Sequence, residues 1–127
     1  MKIVIITGNN YPCGDAGAVR QHAMAKLLMD MGHDVFVIGY GPYTGNKEKV
    51  YDSVPYISFR KKSNNRIIRA FYRVNFGSRV ATYIKKHHQD FNCLLVVDIL
   101  PNAFKTIEKL AQERNALLIH DSVEWYS

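Results

Sequence analysis

Residues 7–20 read Thr-Gly-Asn-Asn-Tyr-Pro-Cys-Gly-Asp-Ala-Gly-Ala-Val-Arg and follow the apolar run Lys2–Ile6. A polar loop with glycines straight after a strand is a place where backbone N–H groups can meet a ligand. Gly14, Ala16 and Gly17 carry little or no side chain, so the backbone can come close to an anion. Asp15 or a small neighbour stands at a helix start, and the positive end of a helix favours negative charge. An ordinary structural turn has the same composition, and both readings stay open. The spacing is neither G-x-G-x-x-G nor a Walker A loop, for Gly8, Gly14 and Gly17 are irregular and no Lys-Ser/Thr follows. The second apolar run ends Val-Ile-Gly-Tyr-Gly-Pro, and the next acid is Glu48. A ribose-binding acid for a nicotinamide cofactor is therefore missing.

A second chemical signal is charge. The net charge is +6, and nine of the 17 Lys and Arg residues lie between Arg60 and Lys86. Asp90 is the one acid from Ser53 to Val97. Such a stripe suggests an anionic partner, with a solvated helix face as the plain alternative. Cys13 and Cys93 form no CxxC and have no His at metal spacing, which points to free thiols. His87 and His88 are adjacent on a helix, point in different directions and make a poor metal pair. No metal site is expected.

The elements that would position these residues alternate. Lys2–Gly8 is a β-branched run, as in a strand buried on both faces. Ala16–Gly32 follows as a helix in which Val19, Ala23, Leu27 and Met31 recur every four residues, with Gly32 at its C-terminal end. Asp34–Tyr40, Tyr56–Phe59, Cys93–Ile99 and Ala116–Ser122 read as four further strands. Residues 41–54 read as loop. In the basic segment Ile67, Phe71 and Val74 share one face, and Val80, Tyr83 and Ile84 continue it. Gly77-Ser78 is a point where that helix could kink or split. Pro101 opens and Asn115 closes a last helix. The 127 residues thus predict one α/β domain, a Rossmann-like, doubly wound parallel sheet of about five strands with helices on both faces. Ligands of such sheets sit at the carboxyl ends of the strands. That rim gathers the loop after Gly8, the Asp98 turn and the residues after Ile119. No apolar run reaches the ~18 residues of a membrane span, and no secretory leader is visible, so a cytoplasmic protein is expected. The sequence stops just past Trp125 and Tyr126, where a loop or helix is due, which suggests a fragment of a longer chain.

Residues 1–42, with Gly32-His33-Asp34-Val35-Phe36-Val37 matching G-H-x-V-x-V, resemble the start of family-4-type retaining glycosyltransferases. The segment Leu117–Ser127 is similar to the family's exit from its fifth strand, where a His follows. The likeness runs through the whole chain in element order, and its specific residues lie at the two ends. The family has a GT-B fold of two Rossmann-like domains across a cleft. The resemblance implies that residues 1–127 are the amino-terminal, acceptor-side half. The Glu-x₇-Glu region of the donor-side half is absent, so this chain alone would be inactive. The implied reaction is hexosyl transfer, with retention, from a nucleotide-sugar co-substrate to a glycan or lipid-linked acceptor, with no further cofactor.

By position, Gly14, Ala16 and Gly17 would lie against the donor phosphates and sugar, although many members have two adjacent glycines where this chain has Asp15-Ala16. His120 matches the His near the transferred sugar and is the catalytic candidate. Tyr11 and Arg20 would contact acceptor or phosphate. Asp98, Asp121 and Glu124 would bind acceptor hydroxyls, with helix capping as the alternative for Asp121 and Glu124. Many relatives act on membrane-associated acceptors. A helix bearing Arg66, Arg69, Arg73 and Arg79 among Phe71, Tyr72 and Phe76 would suit an anionic bilayer at the inner face of the membrane. Nucleic acid is not an expected partner, for no nucleic-acid module is visible. A receiver domain lacks its acidic cluster and Lys here. The rival reading is a non-catalytic nucleotide- or sugar-binding module.

Overall fold

A computed structural model describes residues 1–12 and 14–121. The elements run β1 (Lys2–Thr7), α1 (Ala16–Asp30), β2 (Asp34–Pro42), β3 (Lys49–Tyr51), β4 (Val54–Arg60), α2 (Arg66–Val74), α3 (Phe76–His87), β5 (Cys93–Val97), α4 (Pro101–Glu113) and β6 (Leu117–Asp121). They form one sheet in the order β3-β4-β2-β1-β5-β6. Every pairing is parallel except β3 with β4. The Rossmann-like α/β expectation holds, with six strands rather than five. The extra strand, β3, lies inside the stretch read as loop. Its residues are exposed, so no apolar alternation announced it. It is held as a hairpin by Asp52 and Ser53, whose φ angles of 47° and 72° form the tight turn.

The pleat divides the core in two. Val4, Ile6, Phe36, Ile38, Leu94 and Val96 face α3 and α4. Ile3, Ile5, Val35, Val37, Cys93 and Leu95 face α1. Each large aliphatic side chain so buried contributes about 1.5–3 kcal/mol. Gly32 (φ 93°) and Asn115 (φ 52°) end α1 and α4 in the left-handed region. The following N–H groups reach back to Leu28 and Ala111 carbonyls, so both helices end as Schellman motifs.

Two local expectations are corrected. The stripe Val19, Ala23, Leu27 and Met31, the periodic signal of the helix, lies on the outer side of α1 and its C-cap. Val19, Leu27 and Met31 are 60–65% exposed, whereas Ala18, Gln21 and Ala25 meet the sheet. Small residues let α1 approach closely, and Gln21 is needed there to pair the loop before it. The basic segment does split, but at Asn75, which ends α2 and starts α3. Gly77 instead sits against α4, where a Cβ would come within 2.5 Å of Ala103 Cα.

Candidate functional site

The chain leaves β1 at the point where the strand order reverses, with β2 on one side and β5 on the other. Crevices at such a switch point are where open α/β sheets bind ligands. Here Gly8 passes under the Asp98 turn, and a Cβ on Gly8 would lie 2.0 Å from the Asp98 carbonyl oxygen. Asp98 itself has φ 50°. The loop then crosses over β2. Gly39 and Gly41 leave room for it, since a Cβ at Gly41 would come within 2.1 Å of the Tyr11 carbonyl oxygen. Ser58 Oγ donates to that oxygen from β4 at 2.9 Å.

Several polar groups of the loop pair with one another or with the start of α1. Asp15 caps α1, accepting from the Ala18 N–H at 2.7 Å and from the Asn10 N–H at 3.2 Å. Asn9 Nδ2 donates to Gln21 Oε1 at 2.9 Å. The space that Gly17 and Gly14 vacate is filled by the side chains of Asn9 and Asn10. Tyr11 is fully buried. His22 Nε2 lies 2.9 Å from Asp52 Oδ2, and a carboxylate can only accept. Its other ring nitrogen lies 2.9 Å from the Tyr11 hydroxyl, so the imidazole bridges Tyr11 and Asp52. Burial, with Tyr56, Tyr51 and Asp52 nearby, pushes the Tyr11 phenol far above its ordinary range. It is a structural post under the rim, not a group facing a ligand.

Beside this loop lies a cleft of about 730 Å³, between the ends of β2 and β4 and the helix α2. Gly8, Asn10 and Tyr40 line it from the strand side. Arg60, Lys61, Lys62, Arg66, Arg69 and Arg73 bring six cations to it, and Asp15 is the one carboxylate in its wall. Arg66, Arg69 and Arg73 recur at i, i+3 and i+7 and so share one side of α2. Among the described residues none of the six forms an ion pair. Arg60 Nη2 donates to Asn10 Oδ1 at 3.4 Å. Lys61 Nζ stands over the Tyr43 ring, 5.1 Å from its centroid. Tyr40 is half-buried. Burial raises its pKa, and the positive charges of Arg73, Arg60 and Arg79 pull part of that rise back. A smaller crevice shares Gly8, Tyr40 and Arg73 with this cleft and is closed by Asp98 and Leu100.

The remaining candidates scatter. Arg20 and Asp121 meet each other in an ion pair of 2.8 Å and line neither cavity. His120 pairs in register with Val96, which puts it on the α4 side of the sheet. There it packs against Phe104 at 4.7 Å between ring centroids. It is exposed and lines neither cavity. Asp98 lies at the rim, 3.4 Å from Asn9 Nδ2. Ala16 begins α1, and Glu124 lies outside the described residues, as does Cys13. Arg79 leaves the basic group, for its guanidinium donates to the Phe59 carbonyl at 2.8 Å and stacks over the Phe59 ring. Phe76, expected beside the arginines, is core. Among the described residues no cluster of three or more His, Cys, Asp or Glu could hold a metal ion. No helix among them is long and apolar enough to cross a membrane.

Sequence reasoning missed Tyr40, Arg60, Lys61 and Lys62 as site residues. The signal was present. Three cations stand at the end of a strand, on the rim where ligands bind.

No protein-family description matches the chain, and no curated protein matches it. Among solved structures, the C-terminal domain of a hydrogenase from Pyrococcus furiosus has the same fold. The two share 16% identity over 94% of this chain and 89% of that one, with a TM-score of 0.63. That likeness carries the α/β fold and nothing about chemistry.

Proposed function

We propose that this chain is the acceptor-side domain of a retaining, hexosyl-transferring glycosyltransferase, acting with a second, donor-binding domain. Its co-substrate is a nucleotide-sugar, and its acceptor is a glycan or lipid-linked sugar. The observation that supports this reading is the place of the cleft. It opens at the carboxyl ends of β1, β2 and β4, against the same β1–α1 loop that carries the sequence resemblance. Leaving-group charge in such a transfer is already spread over a diphosphate, so the protein must supply positioning and electrostatic stabilisation more than covalent chemistry. The protein works in the cytoplasm at the inner face of the membrane. The exposed Ile67, Phe71 and Val74 of α2 rest on an anionic bilayer.

The test is sugar transfer by the protein of the complete reading frame, with UDP-glucose and GDP-mannose as donors. The anomeric configuration of the product is read by NMR. Transfer with the donor configuration kept is the expected result. One finding favours the rival, a non-catalytic nucleotide- or sugar-binding module: His120 lines neither cavity. Binding of nucleotide-sugar without transfer to any acceptor would decide for that rival.

A further inference from the structure

The helix α2 buries none of its side chains. A helix on a protein surface turns its apolar side chains inward and its charges to water. In α2, Ile67 is 80% exposed, Phe71 63% and Val74 52%, and no residue is buried. Its arginines Arg66, Arg69 and Arg73 line the cleft instead. Arg66, Arg69 and Arg73 are themselves exposed, on the side of α2 that lines the cleft. Holding like charges together around a concave space is unfavourable unless something anionic enters it.

The amount of charge narrows the ligand. A phosphate group carries about −1.5 to −2 at neutral pH. Six cations facing one carboxylate exceed what one such group can neutralise and match two or more. The cleft offers neutral polar groups besides, in Tyr40, Asn10, Ser63 and Asn64. Its volume of about 730 Å³ falls within the usual range for small-molecule sites, ~300–1,000 Å³. It can hold a diphosphate together with a substituent.

We propose that this cleft is a binding site for a diphosphate-bearing ligand, held between the α2 arginines and Arg60 at the end of β4. The proposal rests on the rim cleft as the acceptor site and specifies the acceptor as a phosphorylated one. Arginine suits the task, because its planar fork donates two parallel hydrogen bonds to phosphate oxygens.

The experiment is calorimetric titration of the protein with inorganic pyrophosphate and, separately, inorganic phosphate. Pyrophosphate is expected to bind at least about tenfold more tightly, and the difference should shrink as salt rises. The double variant Arg69→Glu/Arg73→Glu should weaken pyrophosphate binding by about 100-fold while its melting temperature stays that of the parent. Lys105→Glu/Lys109→Glu, on the exposed side of α4, should change it little and so excludes a bulk-charge effect. Because the double variant tests folding as well as binding, arginine side-chain NMR shifts in the unaltered protein provide a second readout. Pyrophosphate must move Arg66, Arg69 or Arg73.

Three outcomes would overturn the proposal. Phosphate and pyrophosphate could bind equally. Vesicles of phosphatidylglycerol could bind through these arginines while pyrophosphate does not, which would make the surface a bilayer contact. A single-stranded oligonucleotide could bind more tightly with increasing length and displace pyrophosphate, which would make it a nucleic-acid surface. UDP binding well above the affinity of pyrophosphate would identify a nucleotide as the source of the diphosphate, and UDP binding no more tightly than pyrophosphate would favour a phosphorylated acceptor. Absence of sugar transfer with pyrophosphate binding intact sinks the transferase reading and leaves this site. Transfer to acceptors without phosphate that survives Arg69→Glu/Arg73→Glu does the reverse.

Discussion

The two walls of the cleft are built on opposite plans. On one side, the β1–α1 loop pairs its polar groups internally, through Asp15, Asn9, Asn10 and Gln21. On the other, α2 holds three arginines that meet no carboxylate among the described residues. Both looked like anion sites by composition. At the start of α1, Asp15 already takes the Ala18 N–H, and its carboxylate charge opposes an incoming anion. Satisfaction, rather than residue type, separates a wall that is architecture from a wall that waits for a ligand.

That contrast can be broken most sharply at Gly8. A Cβ there would collide with the backbone carbonyl of Asp98 at 2.0 Å, and backbone cannot step aside as a side-chain tip can. Gly8→Ala should destabilise the fold by about 3 kcal/mol, read from denaturant unfolding. A loss within 0.5 kcal/mol would mean that the loop wall is looser than its contacts state. Asp15→Ala comes next. Loss of the cap should cost about 1 kcal/mol. The same change removes the one carboxylate of the cleft, so pyrophosphate should bind more tightly to the less stable protein. A parallel loss of stability and affinity would show that the two walls are one structure.

The smallest effect concerns the hairpin behind Arg60. Glu48, in the turn before β3, takes hydrogen bonds from the Tyr83 hydroxyl and from His88 Nε2, the latter at 2.7 Å. Partial burial works to raise its pKa, but those two hydrogen bonds, together with the electrostatic influence of His88 and His87, outweigh it and hold the carboxyl below its usual range. A carboxyl depressed in the folded state stabilises fully above its unfolded pKa, and that contribution disappears as pH falls through the folded one. Glu48→Gln should therefore lower the melting temperature slightly near neutral pH. The difference from the parent should close on acidification below the ordinary glutamate range. An equal gap at every pH would assign Glu48 a packing role instead.

Much of the fold was legible because strong patterns cause it. The apolar runs at Lys2–Ile6, Val35–Ile38 and Cys93–Val97 became the central strands, and Gly32, Pro101 and Asn115 stand at the helix ends they predict. What was not legible has physical reasons. The i, i+4 stripe of α1 is apolar but faces out, because the sheet needed small residues and one glutamine. β3 is a ribbon of exposed residues pinned by a turn. The site was half legible. The basic stripe was evident as a count of charges, yet its division between Arg79, spent on Phe59, and the three arginines of α2 depends on where Asn75 breaks the helix. His120, Tyr11 and Arg20 were chosen by position along the chain. Each proves to be engaged with a neighbour (Phe104, His22 and Asp121) that no local pattern reveals.

Cys93 has a use that follows from its seat between β1 and β6. Its side chain is 2% exposed, and burial raises the pKa of its thiol. Only the thiolate attacks an alkylating reagent, so two barriers, access and ionisation, protect it while the sheet is closed. In a Cys13→Ser background, the rate at which this one sulfur is labelled becomes a clock for opening of the central strands. It reports on the frame behind the cleft without touching the cleft itself.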